Sequence, residues 1–186
     1  LDENAPVGDS NPLGYLNLDD TIIDVNVTPN RADVLGLYHF FYEVAAILNR
    51  KIIKHDLLDL KVEGESDFTS NSETSLCDYF SITTINDVKV KPSPKWMQNI
   101  LASHGIKCIN NIVDIGNYVT LLTGQPLHMY DADKLECDTF IVKADMNAKV
   151  VALDEKEYEL VSGDLAVTNN DKVVCIAGVI GDASTM

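Results

Sequence analysis

Asn110-Asn111-Ile112-Val113-Asp114-Ile115-Gly116-Asn117-Tyr118-Val119-Thr120-Leu121-Leu122-Thr123-Gly124-Gln125-Pro126-Leu127-His128 is the stretch on which the fold class turns. It reads as a helix from Asn110 to Thr123 that stops at Gly124, followed by a change of texture. Beyond Gln125-Pro126 the chain turns to β. Phe140-Ile141-Val142, Val150-Val151-Ala152-Leu153, Leu165-Ala166-Val167 and Val173-Val174-Cys175-Ile176 read as strands, and Asn169-Asn170-Asp171 reads as a hairpin turn. Upstream, Ser93-Pro94 opens another helix. Pro suits its first position, Trp96, Ile100 and Leu101 form an apolar face, and Gly105 closes it after His104. Two helices followed by several short strands predict an α+β domain.

Further toward the N-terminus, Tyr79 to Val90 reads as a strand. The polar run from Val62 to Ser75 has almost no core formers and reads as a linker, so a domain boundary is expected near it. The opening segment, Leu1 to Asp19, is rich in Asp, Asn, Pro and Gly and reads as loop. Thr21 to Val27 alternates apolar and polar residues, as a half-buried strand does, until Thr28-Pro29-Asn30 stops it. Arg31 to Asn49 then carries Val34, Leu37, Tyr38, Phe41, Val44, Ala45 and Leu48 at helical spacing, with Asn30 as the expected N-cap. A stripe of that width must bury against something.

The chain has 186 residues, 46% hydrophobic and 23% charged, the balance of a globular protein with a real core. No apolar run approaches the roughly 20 residues a membrane span needs. Leu1 opens the sequence without an initiator Met or a basic or apolar signal segment, which fits an excised piece of something longer. Fourteen Lys and Arg against 29 Asp and Glu give a net charge of −15. Such a chain repels polyanions and makes a poor autonomous nucleic-acid binder. Cys77, Cys108, Cys137 and Cys175 stand far apart with no metal-ligand spacing, and read as reduced, mostly buried thiols.

Motifs for phosphate-loop, nucleophile-elbow or zinc-helix chemistry do not occur. His39 lies among aromatic residues and reads as structural or partly exposed; His55 and His104 read as surface. His128 differs. It sits where a helix hands over to the β region, and loops at element ends are where sites are built. There it can orient a substrate, move a proton, or simply cap and pack. Ala177-Gly178-Val179-Ile180-Gly181 follows a strand. Its glycines allow close backbone approach to a ligand, or form an ordinary tight turn. Asp19-Asp20 and Asp154-Glu155 read as solvated turn acids, since a catalytic pair needs facing groups with separated pKa values.

Side by side, these strings point further. Pro6-Val7-Gly8, Leu16-Asn17-Leu18-Asp19-Asp20 and Val25-Asn26-Val27-Thr28-Pro29-Asn30-Arg31-Ala32-Asp33-Val34-Leu35-Gly36 form one ordered series. Gly105-Ile106-Lys107, Asn111 to Ile115, Asn117-Tyr118-Val119, Gly124 to His128 and Ala177 to Gly181 continue it. The series closely resembles the β subunit of bacterial phenylalanyl-tRNA synthetase over nearly all the chain. The resemblance implies an α+β architecture with a small N-terminal half-domain (1–60, the second part of a split first domain), a linker (61–75) and an editing-type module (76–186) that continues past Met186.

It also implies that this chain does not activate phenylalanine, because the family's aminoacylation site lies on the α subunit. The family's editing module hydrolyses tyrosine wrongly esterified to phenylalanine tRNA. By the same likeness His128 is the editing-site His, near the ester or the terminal adenosine. Gly178 and Gly181 are pocket glycines, Ala177 is a small lining residue, and Asn117 belongs to a helix bordering the site. Lys107 stands where many members carry Arg, Gly116 where Thr is common, and Asp182 where a second Gly is usual. The family's tyrosine-recognising Glu is expected beyond Met186. The implied partners are the α subunit and phenylalanine tRNA, in the cytoplasm and without a membrane. This stretch takes no cofactor or metal of its own; ATP and magnesium serve the whole enzyme. The resemblance leaves open an editing hydrolase module or a structural and binding module with editing weakened or lost.

Overall fold

The computed structural model describes residues 3–53, 61 and 64–185. His55 and parts of the expected linker and half-domain lie outside them. The chain divides into two compact units, each made of two stretches of sequence: residues up to 53 with Lys89–Leu127, and residues 64–88 with 128–185. The first is helical and the second is β, so the α+β expectation is met at the level of class. The division cuts across the expected boundary near residues 61–75.

In the helical unit a short helix α1 (Pro12–Tyr15) is capped by Asn11, whose side chain accepts from Gly14 N–H at 3.0 Å. Asn99 reaches back to this segment, donating to the Leu16 and Asn17 carbonyls. Thr21 to Val27 is not a strand. It is irregular, and Ile22 and Ile23 are exposed, because a strand persists only as part of a ladder and no described segment pairs with it. The expected helix from Arg31 to Asn49 is two elements: a 3-10 stretch, Pro29–Leu35, and α2, Leu37–Ile47.

Asn30 is therefore not the cap of α2. That place falls to Gly36, whose backbone is extended (φ −83°, ψ 134°). A Cβ on Gly36 would stand 2.7 Å from the Gly124 nitrogen, so the break between the elements is where the chain passes directly over the end of α4 (Asn111–Thr123). Arg31 ties the two pieces together through Asp33 and Glu43, at 2.9 and 2.8 Å. The apolar stripe of α2 stays partly open: Tyr38, Phe41 and Leu48 are exposed, and Leu37, Val44 and Ala45 are half-buried.

Helix α3, Lys95–Ser103, begins one residue later than expected, with Pro94 as its cap. Its buried face is Met97 and Leu101, while Trp96 is half-exposed and meets Tyr118 edge-on at 5.4 Å. Helix α4 runs as expected. Asn110 accepts from the Ile112 and Val113 N–H groups, and Gly124 closes it in the left-handed region (φ 74°). Asp114 on α4 is buried. It accepts from Ser93 Oγ at 2.5 Å and Ile109 N–H at 2.9 Å, which fixes the approach of the chain into the helix.

The second unit is built on a five-stranded sheet in the order β1-β2-β5-β6-β7. Its strands are β1 (Thr69–Ser72), β2 (Thr139–Lys143), β5 (Ala166–Asn169), β6 (Lys172–Ile176) and β7 (Ile180–Gly181). β1 runs parallel to β2 and the other pairs are antiparallel. A separate hairpin joins β3 (Ala148–Val151) to β4 (Glu157–Leu160). β1 lies inside the stretch expected as linker. Its polar sequence, Thr-Ser-Asn-Ser, hides an edge strand held by pairing rather than by buried side chains.

Tyr79 to Val90 is not a strand. Phe80 and Ile82 do alternate inward onto the core, but side chains hold this segment instead of a ladder: Ser70 Oγ donates to the Phe80 carbonyl, and Ser66 and Thr84 share a hydroxyl bond. The core is Phe140, Val142, Val167, Val174 and Cys175 on one side and Val150, Leu160, Ala166 and Val173 on the other. A bulge between Val167 and Thr168 leaves Val174 unpaired, so Val174 and Cys175 share one cluster. Asn170 and Asp171 both take positive φ in the two-residue turn between β5 and β6, as that hairpin type requires. Cys175 is buried; Cys77, Cys108 and Cys137 are half-buried and unpaired, less hidden than expected.

Candidate functional site

The site begins with the turn after β6. Ala177, Gly178 and Val179 link β6 to β7 in a tight hairpin, closed by Val179 N–H donating to the Ile176 carbonyl at 3.0 Å. Gly178 takes φ +71°, the left-handed region that favours glycine. It sits at the exposed tip with open space where a side chain would be. Ala177 faces the other way and packs on the core, its N–H bonded to the Leu165 carbonyl. Gly181 is pinned from both sides: it pairs with Cys175 of β6, and its carbonyl accepts from Leu153 N–H at 3.0 Å.

Onto Gly181 falls His128. A Cβ at Gly181 would stand 2.0 Å from His128 Cε1 and 2.7 Å from each ring nitrogen, so the imidazole occupies the volume any other residue would need. His128 and Gly181, far apart in sequence, are thus in direct contact. The ring is steadied by Tyr130, edge-on at 4.4 Å, and Tyr130 in turn packs against Phe140 at 5.0 Å. Asp131 N–H donates to the Thr185 carbonyl at 3.1 Å, so the strip after His128 runs beside the strip after Gly181.

Burial sets the electrostatics. It pushes the His128 pKa below its usual value, while the nearby Asp182 carboxylate partly opposes the shift. The Tyr130 phenol and the Cys175 thiol, which touch, are both pushed up by burial. His128 is therefore a neutral imidazole near pH 7, with one donor and one acceptor nitrogen. Its Nε2 is buried without a hydrogen-bond partner among the described residues, and so is Thr185 Oγ1. Such orphans are rare in folded proteins and mark places where a water or ligand completes the structure.

Asp182, next to Gly181, is buried (7% exposed). Its Oδ1 accepts from Ser184 N–H at 2.8 Å and from the Ser184 hydroxyl, which also receives the Lys172 ammonium at 2.7 Å. The carboxylate thus forms a turn with Ser184. It also lines a cavity of about 390 Å³, whose wall does not include His128. A second hollow of about 440 Å³ beside β1 likewise lacks it.

Lys107 and Asn117 belong to the helical unit: Lys107 is exposed in the loop before α4, and Asn117 is half-buried on α4. Among the sequence candidates, contact is observed for His128 with Gly181, with Gly178 and Ala177 following from the shared hairpin. Tyr130 and Thr185 were missed. Tyr130 had a signal in the sequence, since it lies two residues after His128 and so on the same side of an extended strip. Thr185 had none.

Residues 76–186 match the B3/4 domain family, which takes in α3, α4 and every strand except β1. The whole chain is also similar to curated proteins named phenylalanine–tRNA ligase beta subunit. That of Staphylococcus aureus (strain USA300) is 41% identical over 182 residues, 95% of this chain and 23% of the relative. That of Streptococcus agalactiae serotype Ia is 39% identical over 188 residues, and that of Streptococcus pneumoniae (strain ATCC BAA-255 / R6) is 40% identical; each match covers 100% of this chain and 23% of the relative. The chain therefore spans about a quarter of the length of these relatives. It belongs to the B3/4 domain family and is similar, from end to end, to one segment of bacterial phenylalanine–tRNA ligase β subunits.

Proposed function

We propose that this chain serves phenylalanyl-tRNA synthesis as part of a ligase β subunit, and that its own contribution is to hydrolyse tyrosine misattached to phenylalanine tRNA. The observation that carries the reading is the His128 ring lying on the Gly181 backbone, its buried Nε2 without a hydrogen-bond partner among the described residues. In this reading the partners are the α subunit and phenylalanine tRNA, ATP and magnesium serve aminoacylation elsewhere in the assembly, and the work is cytoplasmic. The physical need is clear. A pocket shaped for the phenylalanine ring discriminates poorly against one added hydroxyl, and a second, hydrolytic site restores fidelity.

His128 is suited to hold the attacking water. A neutral imidazole accepts a hydrogen bond from water and draws it toward the ester carbonyl. Attack forms the new C–O bond as the water's proton passes to His128; the bond to the terminal ribose then breaks, His128 returns that proton to the ribose oxygen, and free tyrosine leaves. Gly178 and Gly181 let the substrate approach backbone, and Ala177 keeps the lining small. Asp182 favours a second reading, a binding module with weakened editing, because a buried carboxylate beside Gly181 opposes the developing oxyanion. The test is release of tyrosine from Tyr-charged phenylalanine tRNA by the assembled ligase. Editing requires fast release that falls at least tenfold in His128→Ala; slow release unaffected by that change leaves the binding module.

A further inference from the structure

The cavity of about 390 Å³ beside Asp182 has an apolar floor and a charged rim. Val150 and Val173 form the floor, both buried in the core cluster behind it. Lys149, Lys172, Asp182 and Ser184 stand around it. Two of its other charges are committed: Lys149 to Glu157 at 2.9 Å, and Asp171 to Lys143 at 2.5 Å.

The remaining pair is not. Asp182 is a buried carboxylate that accepts from the N–H and hydroxyl of Ser184, and no described cation forms an ion pair with it. Lys172 donates to the Ser184 hydroxyl, and no described carboxylate forms an ion pair with it. One hydroxyl thus bridges an anion and a cation, neither of which makes a direct ion pair among the described residues. A buried carboxylate is costly unless a cation touches it, and a ligand ammonium would supply the direct contact that the bridged Lys172 does not.

The complement to this arrangement is a zwitterion carrying hydrocarbon. We propose that this cavity binds a free α-amino acid, its ammonium on Asp182, its carboxylate on Lys172 and an apolar side chain over Val150 and Val173. The volume lies at the lower end of the roughly 300–1,000 Å³ typical of small-molecule sites, which suits a ligand of that size. The two head groups fix orientation and the valine floor supplies apolar burial.

Calorimetric titration of the β chain alone, without an α subunit, tests this with L-phenylalanine and L-leucine as probes. N-acetyl-L-phenylalanine lacks the ammonium and L-phenylalaninamide lacks the carboxylate. Saturable binding of the free amino acids is expected, with each blocked derivative weaker by about tenfold to a hundredfold, the value of one hydrogen bond to a charged group. Asp182→Asn keeps the Oδ1 that accepts from Ser184 and removes only the charge, so it is expected to fold and to weaken binding by the same factor. Lys172→Met acts on the other end. No saturable binding of either amino acid, or equal binding of the blocked derivatives, overturns the proposal. If Asp182→Asn fails to fold, the derivatives decide on the unaltered chain. No tRNA and no hydrolysis enter the measurement, so its outcome is independent of the role given to His128.

Discussion

Replacing Gly181 with Ala asks a single methyl group to share space with an imidazole. The added carbon would lie 2.0 Å from His128 Cε1, whereas carbon atoms pack at about 3.5–4.0 Å. The ring must therefore retreat by roughly 1.5–2 Å or swing to another rotamer. Gly181 cannot retreat in its place, because β6 holds it on one side and Leu153 on the other. Overpacking of this kind costs about 1–3 kcal/mol, and a displacement of that size at a reacting group costs about a hundredfold in rate. Urea unfolding of a double-mutant cycle isolates the contact. Gly181→Ala is expected to destabilise the chain by about 1–3 kcal/mol alone and by far less in the His128→Ala background. Gly178→Ala is the internal control: it meets nothing within 4 Å, so it carries only the left-handed backbone penalty of about 1 kcal/mol and no coupling to His128. If Gly181→Ala costs the same in both backgrounds, to within about 0.5 kcal/mol, the ring does not rest on Gly181 and the site is wrongly drawn.

Three further outcomes are expected. Asn169 is buried and makes four side-chain bonds, to Glu136 N–H, Cys137 N–H, the Cys137 carbonyl and the Thr139 carbonyl; Asn169→Ala should cost roughly 3 kcal/mol or more in urea unfolding, and a loss under about 1 would show those groups finding other partners. Burial depresses the folded pKa of His128 below the ordinary 6.5, so the unfolded chain binds the proton first. The associated stability is present above that value and is lost as pH falls through the lower, folded pKa; the unfolding midpoint should drop over this window, and a His128→Ala chain showing the same drop would assign it to other groups. The −15 charge predicts little binding of tRNA by this chain alone at about 0.15 M ionic strength, and a mobility shift that persists as salt rises would contradict this.

The helices were legible where their ends were. Asn110 and Gly124 bracket α4 because each end has a chemical mark, a side-chain acceptor and a left-handed glycine. The helix expected from Arg31 was drawn through Gly36, because the reason for the break is a contact with residues nearly ninety positions away. The core strands were found through their Val and Ile runs, whereas β1 escaped because Thr-Ser-Asn-Ser has no apolar pattern and becomes a strand only by pairing with β2. Tyr79 to Val90 failed in the opposite sense: it was read as a strand, and Phe80 and Ile82 do pack inward, but no described segment pairs with it. At the site, element ends and glycines pointed to His128 and Gly181. The network of Asp182, Ser184 and Lys172 was not legible, since Asp182 and Ser184 look like any solvated turn until burial is known and Lys172 reaches them from the start of β6, ten positions earlier.

The parallel pairing of β1 with β2 has a bearing on how the chain acquires its structure. Thr69 meets Thr139 across seventy residues of sequence, and the intervening chain contains both α3 and α4. The antiparallel strands β5, β6 and β7 follow one another through short turns and can zip together from local contacts. β1 must instead wait for a long excursion to close, an entropy cost that rises with the logarithm of its length. It should be the last strand to join on folding and the first to detach on warming, so its amide hydrogens should exchange well before those of β5.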